Sequence, residues 1–321
     1  MTELLPEEIL RKRIHIRDPT LRNALSEFFG TALLLLKAEM KLLMKMSEWC
    51  CRKPNGLVKT DRTTQQKLYS NTFVYVFRNH LEVSSNFQFI GLSIVMQFIL
   101  SGEKLNTWIQ INVGWGLAIT FCVYACSKTS GGHFNPAVSF TMYTLGRLSL
   151  KDFLIYCVVQ TAGAFIGAIR AVAGPKATAA CFCSFPAAHL SNITCFFDQV
   201  AGTGLLLFFV VVIIDKRNGI PAAAHPWLFG FVLIMIGTCM GMNLGYPINP
   251  ARDLGPRLFA FFIYGSEVFW YHNYYFWIPI FAPFFGGALA AWTYQLFIGA
   301  HIPDPKEDYA LDELKQPLRA T

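Results

Sequence analysis

The chain has 321 residues, 54% of them hydrophobic and only 15% charged, with a formal net charge of +7. That balance is too apolar for a soluble domain and excludes the soluble function classes, nucleic-acid binding among them. Several apolar runs approach the ~20 residues that cross a bilayer.

Residues 1–22 are polar and basic and read as a cytoplasmic tail with a short amphipathic helix. Arg11, Lys12, Arg13 and Arg17 are not followed by the short apolar stretch and cleavage site of a secretory signal. A first span begins near Ala24, carries Glu27, Gly30 and Thr31, and stops after Leu36, too soon to cross. Residues 37–88 are polar, with nine basic and four acidic side chains that supply +5 of the net charge. Apolar character resumes at Phe89 and runs to Leu100. Further spans are expected at 106–126, 152–169, 196–214, 226–243 and 275–299, and residues 300–321 read as a polar cytoplasmic tail. The membrane domain would be 23–299.

An internal repeat sharpens this. Glu27, before Gly30-Thr31, is matched by Asp198, before Gly202-Thr203, each heading one half of the chain. Gly202 lies 47 residues before Asn249, but Gly30 lies 105 before Asn135. Joining Leu35 to Phe89 rebuilds one continuous first span, so an insertion of about 53 residues interrupts that helix. In the later spans Gly163 pairs with Gly286 and Ala168 with Ala291. The third span meets Arg170 almost at once and reads as truncated, with a shortened external loop.

Two stretches carry the chemistry. Gly131-Gly-His-Phe-Asn-Pro-Ala-Val138 and Gly245-Tyr-Pro-Ile-Asn-Pro-Ala-Arg-Asp253 each place Asn-Pro-Ala after loop backbone and before an apolar helix. Asn is a favoured N-cap, and Pro at the first helical position gives up an N–H that has no helical partner. Asn135-Pro136-Ala137 and Asn249-Pro250-Ala251 therefore read as two short half-helices whose positive ends meet. Each Asn would keep its amide N–H groups free to donate into a pore. The carbonyls of Gly131, Gly132 and His133, and of Gly245, Tyr246 and Pro247, would supply acceptors, since irregular backbone at membrane depth is tolerated where it lines a wet cavity. The nine cysteines show no metal spacing. Cys122, Cys126, Cys157 and Cys239 read as packing residues, and a Cys181–Cys183 disulfide is not favoured at such close spacing.

At these residues, over roughly 20–36 and 89–305, the chain resembles the major intrinsic proteins, and most of all the aquaglyceroporins. Asp253, the Gly-Pro-Arg257 after it, and Gly237 favour that subgroup over strict water channels. The resemblance implies an all-α membrane protein with six transmembrane helices, two re-entrant half-helices and an inverted repeat. It implies passive passage of glycerol, water and small neutral solutes with no cofactor and no enzyme activity, in a homotetramer in the lipid bilayer. The selectivity filter it implies is Trp115, Gly237, Tyr246 and Arg252, with His133 lining the pore below the triplets. Arg252 would offer donors and repel cations, Trp115 and Tyr246 would form an apolar corner, and Gly237 would leave room for a polyol backbone. Trp115 alone would equally suit an interfacial aromatic, and His133 a packed core histidine. Glu27 would accept from loop N–H groups near the first triplet, Asp198 would do less, and Asp253 would pair with a cation or loop amides. The opposed dipoles and Arg252 would exclude ions and protons.

Basic residues at Lys128, Arg147, Lys151, Lys216 and Arg217 place both termini in the cytoplasm, in what is expected to be the plasma membrane. The Asn192-Ile-Thr194 sequon sits outside but close to a span, which disfavours glycosylation. A secondary transporter is the second class, disfavoured because the main spans hold no carboxylate pair or histidine relay. The rival within the family is a non-conducting variant: an insertion at the centre of helix one would break it, and deleting 36–88 would restore flux.

Overall fold

The computed structural model describes residues 84–302, apart from 129 and 172. Residues 1–83 and 303–321 lie outside the described set. With them lie the N-terminal tail, Glu27, almost all of the inserted segment and most of the C-terminal tail. Among the described residues the fold is all helical.

The helices are α1 (84–99), α2 (Trp108–Cys126), α3 (Pro136–Thr144), α4 (Leu150–Ile169), α5 (Asn192–Ile214), α6 (His225–Leu244), α7 (Pro250–Tyr264), α8 (Glu267–Tyr274) and α9 (Ile278–Phe297). Among the described residues, five segments are long and apolar enough to cross a membrane: those of α2, α4, α5 and α6, and Glu267–His301, which holds α8 and α9. Hydroxyl residues start several of them. Thr107, Ser149 and Ser191 each accept from a backbone N–H in the first turn of α2, α4 and α5, filling donors that a helix start leaves empty. The outer faces carry Phe121, Leu154, Val158, Phe231, Phe285 and Leu289 exposed, as lipid-facing helices require.

The third span ends at Ile169, one residue past Ala168, while its repeat partner α9 runs six residues past Ala291; its 20 residues still rise about 30 Å and cross the hydrocarbon core. One sequence expectation is corrected here: the first span does not restart at Phe89. Helix α1 is already formed at residue 84 and runs unbroken to 99, and Ser84, Ser85, Asn86, Phe87 and Gln88 are all buried. Deleting 36–88 would therefore remove part of a packed helix. Gly167 of α4 lets the Ser85 carbonyl come so close that a Cβ there would sit 2.2 Å from it. Small residues permit such backbone approach where lipid gives helices no hydrophobic reason to associate.

The repeat is visible in the packing. Gly255 of α7 sits against Thr161 and Ala164 of α4, while Thr141 of α3 sits against Gly287 of α9. Thr141 and Gly255 are 114 residues apart, the same separation as Asn135 and Asn249.

Pro256 inside α7 cannot donate to the Arg252 carbonyl four residues back. Gln88 Nε2 of α1 fills that vacancy at 3.3 Å, so the proline that weakens α7 also ties it to α1. At the far end of α5, Asp215 accepts from Arg217 (2.7 Å) and from the Tyr294 hydroxyl (3.0 Å). The hydrogen bonds from Arg217 hold the Asp215 carboxyl down to about 2. Its stabilising contribution is complete above the usual carboxylate range and is lost only as pH falls toward that value.

Candidate functional site

Helices α3 and α7 start beside each other at mid-fold. Asn135 and Asn249 are the N-caps, each Oδ1 accepting from the N–H of the following Ala137 or Ala251, with Pro136 and Pro250 at the first helical position. The side-chain nitrogens cross over. Asn135 Nδ2 donates to the Ile248 carbonyl and Asn249 Nδ2 to the Phe134 carbonyl, both at 3.0 Å. The expectation that both N–H groups of each amide stay free is thus half right. One N–H of each locks the opposite loop, and the other makes no hydrogen bond among the described residues. The lock holds backbone that few sequences adopt: Phe134 and Ile248 have φ of 46° and 29°, and positive φ is strained for a β-branched residue.

A second support differs from the sequence expectation. Gln199 Oε1 accepts from the Ile248 N–H at 3.0 Å, while Asp198 accepts from Asn243 at 2.7 Å. Gln199, not Asp198, stands three residues before Gly202, as Glu27 stands before Gly30. The 114-residue offset places Ser85 opposite Gln199, and its buried hydroxyl has no partner among the described residues. Gln199→Leu should therefore cost ~1–3 kcal/mol by orphaning a buried N–H. It should read as a lower melting temperature of the detergent-solubilised protein.

The Asn of each triplet, Asn135 and Asn249, faces one cavity of about 1150 Å³. Its lining runs from Lys128 and His225 at one end, past His133, Asn135 and Asn249, to Ser184, Pro186 and Asn243 at the other. Gly131, Gly132, Gly245 and Pro247 also line it. His133 lines the cavity while its Nδ1 lies 3.1 Å from the Ser139 hydroxyl.

Trp115, Tyr246 and Arg252 meet at this cavity. The Arg252 guanidinium lies over the Trp115 ring, 5.3 Å from its centroid. Its Nη1 is buried without a partner among the described residues, an unspent donor at the wall of a cavity. Trp115 is wedged by Phe87 edge-on at 5.3 Å and fills the space where a Cβ on Gly91 would stand. Gly237 departs from expectation and does not line the cavity. A Cβ there would lie 2.5 Å from Asn112 Oδ1 and 2.7 Å from Tyr246 Cζ. The room it leaves is already taken, by protein.

Asp253 is fully buried and accepts from Arg257 Nε at 2.7 Å and from the Ser184 N–H at 2.8 Å. Arg257 also donates to the carbonyls of Val268 (2.6 Å) and Ser184 (2.7 Å). This pair fastens the loop after α4, whose Cys183 and Ser184 line the cavity, to α7 and α8. Cys181 and Cys183 are buried free thiols, and no cluster of metal-ligating side chains occurs among the described residues. Asn192 of the sequon donates its amide to the Asn273 carbonyl at 3.0 Å.

Comparison with known protein families matches residues 16–294 to the family described as Major intrinsic protein. Human aquaporin-10 is 37% identical over 247 residues, covering 68% of this chain and 82% of its own. Mouse aquaporin-9 is 39% identical over 238 residues, 68% of this chain and 81% of its own. A tardigrade aquaporin-3, from Milnesium tardigradum, is 33% identical over 312 residues, 91% of this chain and 82% of its own. The solved aquaglyceroporin from Plasmodium falciparum superposes with a TM-score of 0.66 at 27% identity, covering 72% of this chain and 98% of that one.

Proposed function

This chain belongs to the major intrinsic protein family, and from that premise we propose how its cavity serves as a passive channel for glycerol and water. The observation that carries the reading is the pair of opposed helix starts, crossed by reciprocal amide bonds, beside a guanidinium with an unspent buried donor.

A solute hydroxyl or a water accepts from Arg252 Nη1, and its carbon side rests on Trp115 and Tyr246. At mid-membrane it accepts the remaining N–H of Asn135 and of Asn249. The partial positive charges of the two helix starts, roughly half a charge each, turn the water file one way above them and the other way below. Protons and cations meet that field and the Arg252 charge together. Loop carbonyls on either side, with His133, accept from the solute. No bond in the solute is made or broken, and no cofactor takes part.

The basic ends of the spans favour both termini in the cytoplasm, and we extend the proposal to a homotetramer in the plasma membrane. The unbroken helix α1 supports conduction over the non-conducting reading. The distinguishing experiment is stopped-flow glycerol flux into vesicles holding the full chain. Flux linear in the gradient and indifferent to pH and sodium gradients is expected. Saturating or gradient-coupled flux would make the protein a transporter.

A further inference from the structure

We propose that Asn112 is a positioning residue for the filter: it turns the hydroxyl of Tyr246 away from the lumen, so that the ring presents only carbon to a polyol. The proposal rests on the channel reading above, but its geometry stands apart from it. Tyr246 Oη donates to Asn112 Oδ1 at 2.6 Å, a buried bond between residues 134 apart in sequence. Asn112 is fully buried in α2 and does not line the cavity, whereas Tyr246 does. The hydroxyl thus points out of the pore and the ring into it.

Two neighbours, Gly237 and Trp108, fix this arrangement. Gly237 has no side chain where Asn112 Oδ1 and Tyr246 Cζ lie. Its carbonyl accepts from Trp108 Nε1 at 3.1 Å, and the Trp108 ring meets Tyr246 edge to face at 5.9 Å. Asn112 Nδ2 has no partner among the described residues. Among the described residues Asn112 makes its side-chain hydrogen bond to Tyr246, and a polar side chain inside a spanning helix calls for such a use.

The arrangement makes Gly237 permissive in a new way. It admits the Asn112–Tyr246 bond, and that bond gives the filter its apolar wall. Without an acceptor outside, a buried tyrosine hydroxyl regains its hydrogen bond by turning toward the water file. It would then narrow the lumen and compete with the solute for Arg252.

The test is a four-protein cycle: the parent, Asn112→Leu, Tyr246→Phe and the double variant, all reconstituted in vesicles. Asn112→Leu in the parent is expected to lower glycerol permeability about tenfold, the scale set by one unpaired buried hydroxyl. Water permeability should fall less, so the glycerol-to-water ratio drops. In the Tyr246→Phe background the same change should move the ratio by no more than about twofold, since no hydroxyl is left to turn. Equal loss in both backgrounds, or no loss in the parent, overturns the proposal. Melting of the same four proteins in detergent reads the bond without any flux. Asn112→Leu should lower the midpoint by about 2–4 °C in the parent and less beside Phe. Additive shifts would also overturn it. A parent that passes no glycerol while the melting shifts couple would instead fault the channel reading.

Discussion

Arg257→Met should be the most damaging single substitution in the described fold, costing ~3–5 kcal/mol. The side chain is 1% exposed, and its partner Asp253 is completely buried. Removing the guanidinium strands a carboxylate that keeps only the Ser184 N–H. It also orphans the carbonyls of Val268 and Ser184. An uncompensated buried charge costs more than the pair contributes, so a second change should recover part of the loss. Asp253→Leu combined with Arg257→Met is expected to melt above Arg257→Met alone. Because the pair anchors the loop carrying Ser184, the cavity mouth should loosen too. Limited proteolysis of that loop, which should quicken in the single variant, checks this.

Arg252→Ala should act on selectivity and leave the fold standing. The guanidinium makes no hydrogen bond to the described residues; it rests on the Trp115 ring. Its backbone stays useful, with the N–H on Asn249 and the carbonyl holding Gln88. A unit charge ~4 Å from a cation contributes about 4 kcal/mol of barrier at an effective dielectric of ~20. Losing it should raise proton or sodium leak by on the order of 10²–10³-fold. A pH-sensitive dye trapped in vesicles reads the leak. A melting midpoint close to the parent's would show that the side chain serves passage and not packing.

Much of this was legible in the residues. The triplets announce their own geometry, because N-cap Asn and first-turn Pro are local choices. The structure places the helix starts where the Asn-Pro pairs stand. Span limits were read within a few residues, since apolar length is a direct consequence of bilayer thickness. What escaped were contacts made across the fold. Asn112 meets a tyrosine of the other half, and its one signal was a polar residue three positions before Trp115, on the same helical face. Gln199 was passed over for the charged Asp198 beside it. Its spacing to Gly202-Thr203, the same as that of Glu27 to Gly30-Thr31, was the better clue. The role given to Gly237 failed because a missing side chain says only that something comes close, not whether it is solute or protein. The start of α1 was misplaced because Ser84, Ser85 and Asn86 look like loop residues, yet all three are buried, with Ser85 against Gly167 of α4.

The most direct measurement is osmotic: vesicles holding the full chain are mixed with a glycerol gradient and followed by light scattering. They should shrink and then reswell far faster than empty vesicles, at a rate proportional to the amount of protein reconstituted. Reswelling no faster than the bare lipid would contradict the claim that the two opposed helix starts frame an open path for glycerol.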